Sequence, residues 1–208
     1  MIAGLIVLLS GCSSIAVVQS TVPSLHSEFG DRSISVVAYS EPRMNVVTPG
    51  DAVGGGLIDD LTRPDGSRIN IPSPSYLVAK ELRDTLAANL QLKLGEVPNA
   101  LAPAPEGKGS VSSNHDTLEV FTDVNYLGYR PLGWQTYQYM LHAHARLLGA
   151  NGDMVWQGLC KIGGVSEDTT LQLDRTEFKN NDGARLTEIL GLASDRCAAE
   201  IAGSLGRG

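Results

Sequence analysis

Leu118-Glu-Val-Phe-Thr-Asp-Val-Asn-Tyr126 alternates residue by residue, with Leu118, Val120, Thr122, Val124 and Tyr126 on one side and Glu119, Phe121, Asp123 and Asn125 on the other. A period of two is the mark of a strand with one face buried. Tyr129-Arg-Pro-Leu-Gly133 supplies turn residues, and Trp134 to Leu148 reads as a second strand. Asn151-Gly152 is a strong hairpin-turn pair. Met154 to Gly163 is then a third strand. Three strands joined this way make an antiparallel meander, and the rest of the chain is read around it.

Upstream, Ser33 to Tyr39 is a short β-branched run and the expected first strand of the same sheet. Ser73-Pro74 offers an N-cap followed by proline at the first helical position. Ala79, Leu82, Leu86, Leu90 and Leu94 follow at three- and four-residue spacing, and Gly95 is the expected stop. Downstream, Leu186, Ile189, Leu190, Ala193, Cys197, Ile201 and Leu205 track one face of a last helix spanning residues 182–205. The order strand, helix, three strands, helix predicts an α+β domain: a roughly four-stranded, mostly antiparallel sheet with two helices packed on one face. Residues 33–208 form that single domain. Loops of about 41–72 and 96–116 are expected to be flexible, being rich in Gly, Pro, Ala and Ser, and residues 167–181 read as a polar connector.

The formal net charge is −7, and the 16 Lys and Arg residues are scattered rather than clustered. A nucleic-acid partner is therefore not expected, since a polyanion needs a gathered basic face. Gly54-Gly55-Gly56 matches neither GxxxxGK[ST] nor GxGxxG, so no nucleotide cofactor is called for. Neither GxSxG nor HExxH occurs, and the carboxylates show no informative pairing; the reading is non-catalytic.

Two features stand out as candidate recognition chemistry. Six of the eleven aromatic residues lie between Phe121 and Tyr139, and Tyr126, Tyr129, Trp134 and Tyr137 flank the first turn of the meander. Aromatic rings with a polar tip are enriched at interfaces, so these four are the expected partner or ligand surface; strand packing explains the same residues. His142 and His144 project from one face beside Arg146, while Leu141, Ala143, Ala145 and Leu147 take the other. An HxH pair needs a third ligand to hold zinc, and Asp123 and Glu119 on the preceding strand are the nearby acids. With a cation alongside, the polar side of the sheet is the expected role, and no metal is called for.

At the front of the chain, Ile2 to Leu9 is apolar and runs into Leu9-Ser10-Gly11-Cys12. The run is too short for a transmembrane helix, which needs about 20 apolar residues, and suits a signal peptide, whose apolar region needs about 7 to 15. Leu9 to Cys12 resembles a bacterial lipobox. The resemblance implies a signal peptide over residues 1–11, a diacylglyceryl thioether and an acylated amine on Cys12, and a tether over residues 12–32. Several acyl chains make a firm membrane anchor. In Gram-negative lipoproteins an aspartate after the cysteine commonly signals inner-membrane retention. Ser13 therefore implies the outer membrane, facing the periplasm, with the inner membrane left open.

If Cys12 carries lipid, Cys160 and Cys197 are the two remaining cysteines, and an oxidising compartment favours joining them. Two buried free thiols are the alternative. Trp156, Gly158, Cys160 and Ile162 share a strand face, so a bridge would pin the last helix to the sheet. Such a bridge closes a loop of roughly 35 to 40 residues, worth about 3 to 4 kcal/mol on the chain-entropy model. The whole is similar to compact envelope lipoproteins of Gram-negative bacteria, such as accessory lipoproteins of secretion and transport systems. That likeness implies a docking component with an envelope protein partner. A periplasmic binding module for a small apolar or glycan ligand is the second expectation.

Overall fold

A computed structural model describes residues 25–41, 44–47, 70–103, 114–130, 133–163, 168–174, 177 and 183–205. The Leu9 to Cys12 motif, Ser13 and the triple glycine lie outside the described residues. In chain order the elements are α1 (Leu25–Phe29), β1 (Ser33–Ala38), β2 (Asn45–Val47), α2 (Pro74–Leu90), β3 (Lys93–Leu94), β4 (Thr117–Arg130), β5 (Gly133–Leu148), β6 (Met154–Ile162), a 3-10 turn (Thr169–Leu171), β7 (Gln172–Asp174) and α3 (Ala184–Ser204).

The frame is the long hairpin of β4 and β5, paired from Thr117↔Leu148 to Arg130↔Gly133. Each outer side of the hairpin carries two shorter strands in tandem. β1 and then β2 run along β4, opposite residues 117–120 and 126–128. β6 and then β7 run along β5, opposite residues 141–148 and 136–138. β3 adds to β1, giving the path β3-β1-β4-β5-β6.

The α+β class holds, and the sheet is mixed. Among the described residues three of its six pairings are parallel, those of β1 with β3, β1 with β4 and β2 with β4. The expected roughly four-stranded, mostly antiparallel sheet is matched in outline, since the long pairings of β4 with β5 and β5 with β6 are antiparallel, and it is short by the small strands. The physical reason is length: β2, β3 and β7 have two or three residues each, too few for a period of two to show.

Both long helices lie on one side of the sheet, as expected. Ser75 Oγ of α2 donates to Thr122 Oγ1 of β4 at 2.9 Å in the core, and Cys197 of α3 is disulfide-bonded to Cys160 of β6. Thr122 pairs with Ala143, and Ala143 with Cys160, so all three occupy one face. α2 begins as predicted: Ser73 caps it by accepting from the Tyr76 amide at 3.2 Å, and Pro74 follows. Its end differs. Gln91 takes a left-handed φ of 54° and stops the helix after Leu90. Leu94 belongs to β3 instead, and the Gly95 amide bonds to the Ile34 carbonyl at 2.9 Å.

The expected loops and tether are partly built in. Leu25 and Phe29 are buried, so the last residues assigned to the tether join the core. Met44 and Val46 are buried beside β4, inside the expected loop of 41–72. Val97 is buried, and Ala102 bridges to Tyr39 within the expected loop of 96–116. Leu171 and Leu173 are buried within the expected polar connector. The loop portions 48–69 and 104–113 lie outside the described residues.

Candidate functional site

The register of β4 on β5 slips between Thr122 and Val124, leaving Asp123 as a bulge. An extra residue in one strand reverses the facing of everything after it. Before the bulge, Leu118, Val120 and Thr122 face the helices. After it, Asn125, Leu127 and Tyr129 do so, opposite Leu141, Tyr139 and Tyr137. Val124 and Tyr126 turn to the outer face instead, where they meet His142 and Met140. The alternation read from Leu118 to Tyr126 therefore holds for only half its length.

This reversal separates the four expected recognition residues. Tyr129 and Tyr137 are cross-strand partners on the helix side, and Tyr137 is only 1% exposed. Tyr126 lies on the outer face, its ring folded over Gly128; a Cβ at Gly128 would sit 2.4 Å from the ring. Trp134 lies on β5, and its side chain falls outside the described residues. Neighbouring Tyr139 is wholly buried and donates its phenol hydrogen to Asn125 Oδ1 at 3.1 Å. Burial raises its pKa far above the ordinary phenol range, and Glu41 adds to the shift.

On the outer face, the rings of Phe121 and His144 stack in parallel with centroids 4.7 Å apart. The Arg146 guanidinium lies 4.5 Å from the centre of the same Phe121 ring. His144 Nε2 is 3.1 Å from Asp123 Oδ2; this is ion-pair distance but off hydrogen-bond geometry, since the nitrogen makes no hydrogen bond. Glu119, the direct cross-strand neighbour of Arg146, is buried and accepts from the Tyr39 hydroxyl at 2.6 Å. The two acids considered for zinc thus have other engagements, and no group of three metal-binding side chains occurs among the described residues.

Unpartnered buried polar atoms gather on this face. Among the described residues, five of the seven such atoms are Gln138 Nε2, Gln138 Oε1, Gln172 Nε2, His144 Nε2 and Arg146 Nε; the other two are Trp156 Nε1 and Ser194 Oγ. Gln138 is 3% exposed and pairs across the strands with Gly128 and Gln172. Buried amides without partners are uncommon and costly, about 1 to 3 kcal/mol each. Sequence reading reached His144 and Arg146 through the alternation of β5. It missed Gln138, which belongs to the same alternation, and Gln172, whose strand is too short to carry a pattern.

Fold and site together define a two-layer α+β domain with a polar and aromatic outer sheet face. No family model matches the chain, and no curated protein matches it. Among solved structures, it is similar to the crystal structure of protein XCC0632 from Xanthomonas campestris, of family DUF330. The similarity covers 83% of this chain and 85% of that one, at 12% sequence identity and a TM-score of 0.42. A likeness at that level carries no argument about fold or function.

Proposed function

We propose that the chain is a lipid-anchored, non-catalytic envelope lipoprotein, held through Cys12 at the periplasmic side of the outer membrane. It acts as an accessory or docking component of a cell-envelope assembly or transport system. The observation that carries this reading is the Cys160–Cys197 disulfide. Disulfides persist in oxidising compartments, and with three cysteines in the chain this pairing leaves Cys12 as the one remaining thiol, at the motif that resembles a processing site.

The test is metabolic labelling of cells with palmitate. Label should enter the wild-type chain and be absent from Cys12→Ala, and the mature protein should lack Met1. An unlabelled mature chain that retains Met1 overturns the proposal. A second reading, a periplasmic module for a small apolar or glycan ligand, is favoured by the unpartnered amides of Gln138 and Gln172 on the face that carries the Tyr126 ring. Saturable binding of a soluble glycan that Gln138→Leu abolishes would support it.

A further inference from the structure

We infer that residues 168–174, the 3-10 turn and β7, form a strap that lifts off β5 as a unit while the rest of the sheet and α3 stay folded. The inference rests on neither the lipid anchor nor the docking role.

The hold on this segment is short. β7 pairs with β5 at Thr136↔Asp174, Tyr137↔Leu173 and Gln138↔Gln172. β6 runs along the same strand from Leu141↔Ile162 to Leu148↔Met154, and its Cys160 is bonded to Cys197 of α3. Leu171 and Leu173 are buried, and the turn and β7 both pack on α3. The other hold is a clasp. Arg196 of α3 donates from Nη1 to Asp168 Oδ2, and from Nη2 to Thr170 Oγ1 at 2.9 Å. Asp168 also caps the turn by accepting from the Thr170 amide at 3.0 Å. Arg196 and Thr170 are exposed, and an ion pair in contact with water adds little.

Under β7 the closed state carries a cost. Gln138 and Gln172 lie opposite each other, yet Gln138 Nε2, Gln138 Oε1 and Gln172 Nε2 are buried without a hydrogen-bond partner among the described residues. A polar group buried in this way loses its hydration and gets nothing back, until water reaches it again. His144 and Arg146 place such atoms along the seams of β5 with β4 and β6 as well, but those pairings are much longer. A short ladder with few buried apolar contacts opens at the low end of a protein's range of local stabilities. The two leucines oppose opening, so the closed strap is the ground state and the lifted one a minor population. Lifting uncovers the edge of β5 at residues 136–138 and the seat of Leu173 beside Tyr137. An uncovered strand edge is a template for pairing, so the strap decides whether this one is available.

The experiment is hydrogen exchange of the full chain with its disulfide intact, read residue by residue by NMR at several urea concentrations below the unfolding transition. The slowest amides of residues 171–174 should exchange at least about tenfold faster than the slowest amides of β6, and their rates should depend little on urea, the mark of an opening that exposes little surface. Gln138→Leu/Gln172→Leu replaces the amides by apolar groups of similar size. It should slow exchange in β7 by about fivefold or more, the scale of one unpaired buried amide relieved. Arg196→Gln should speed it. Ser73→Ala, which removes the cap of α2 far along the chain, should speed the slowest amides of β6 and leave β7 unchanged. Exchange of β7 with the rate and urea dependence of β6 overturns the inference, because the strap then opens only when the whole domain unfolds. A double leucine variant that exchanges at the wild-type rate or faster overturns it too, because the unpaired amides then do not weaken the closed strap.

Discussion

Cys160 in β6 and Cys197 in α3 are bonded with their Cα atoms 5.2 Å apart, and both residues are fully buried. The bond fastens the last helix to the sheet beside Trp156 and across a sequence separation of 37. On the chain-entropy model, a closure of that length limits the unfolded ensemble by about 4 kcal/mol. Cys160→Ala/Cys197→Ala should therefore unfold at a clearly lower denaturant concentration, with a stability loss of about 4 kcal/mol. Wild type measured in strong reductant should approach the same midpoint. An unfolding midpoint insensitive to reductant would show that the two sulfurs are not joined.

Next to this bond, Gly158 makes room for two neighbours. A Cβ there would meet Ile201 Cγ2 at 2.8 Å and the Trp156 ring at 2.7 and 2.9 Å. Neither contact is with the free end of a flexible side chain, so Gly158→Ala must push α3 from the sheet or displace the indole. A loss of about 1 to 3 kcal/mol is expected, the usual cost of overpacking. Gly191 in α3 is the counterpart, with nothing within 4 Å of the added carbon. Gly191→Ala should raise stability by up to about 1 kcal/mol through helix propensity alone. Urea unfolding of both variants checks the pair, and opposite signs are the expected outcome.

At the start of α2, Ser73 Oγ accepts from the Tyr76 amide and donates to Glu41 Oε2 at 2.7 Å. Ser73→Ala removes the cap and frees an amide at the helix N-terminus, at a cost of about 1 kcal/mol. Ser73→Asp keeps an acceptor for the amide but sets a second carboxylate against Glu41, so it should recover only part of the loss. Full recovery in the aspartate variant, measured by thermal unfolding, would mean that Glu41 does not engage Ser73.

The stripe of α3 and the alternation of β6 were legible because each runs for several periods with large apolar residues on one side. Together they placed Cys197 opposite Cys160. The hairpin between β5 and β6 was equally plain from Asn151-Gly152, although only Gly152 takes a positive φ, +83°, and the loop runs from Gly149 to Asp153 rather than through a two-residue turn. The second half of β4 was not legible. Asp123 looks like any other polar residue of an alternating strand, and only the pairing of its neighbours Thr122 and Val124 with the adjacent Ala143 and His142 reveals the extra residue. That slip decides the site, because it sends Tyr126 outward and Tyr129 inward. The density of tyrosines around the turn is thus partly a packing feature: Tyr137 and Tyr139 are core residues. The end of α2 was hidden for a related reason. Gln91, a good helix former, adopts the left-handed conformation expected of glycine, and Leu94 continues the helical spacing while sitting in a strand.

On the outer face, burial lowers the pKa of His142 below its ordinary value; Asp123 acts against the shift, while Lys161 and His144 add to it. An unfolded histidine takes up a proton near pH 6.5, and folded His142 takes one up only at lower pH. Below that pH the unfolded state binds more protons, so this residue makes stability fall as pH falls, until folded His142 is protonated as well. NMR titration of the His142 ring should give a midpoint below about 6.5. Asp123→Asn removes the one opposing charge and should lower the midpoint further; Lys161→Gln should raise it. A midpoint that rises in Asp123→Asn would place the carboxylate too far from His142 to act on it.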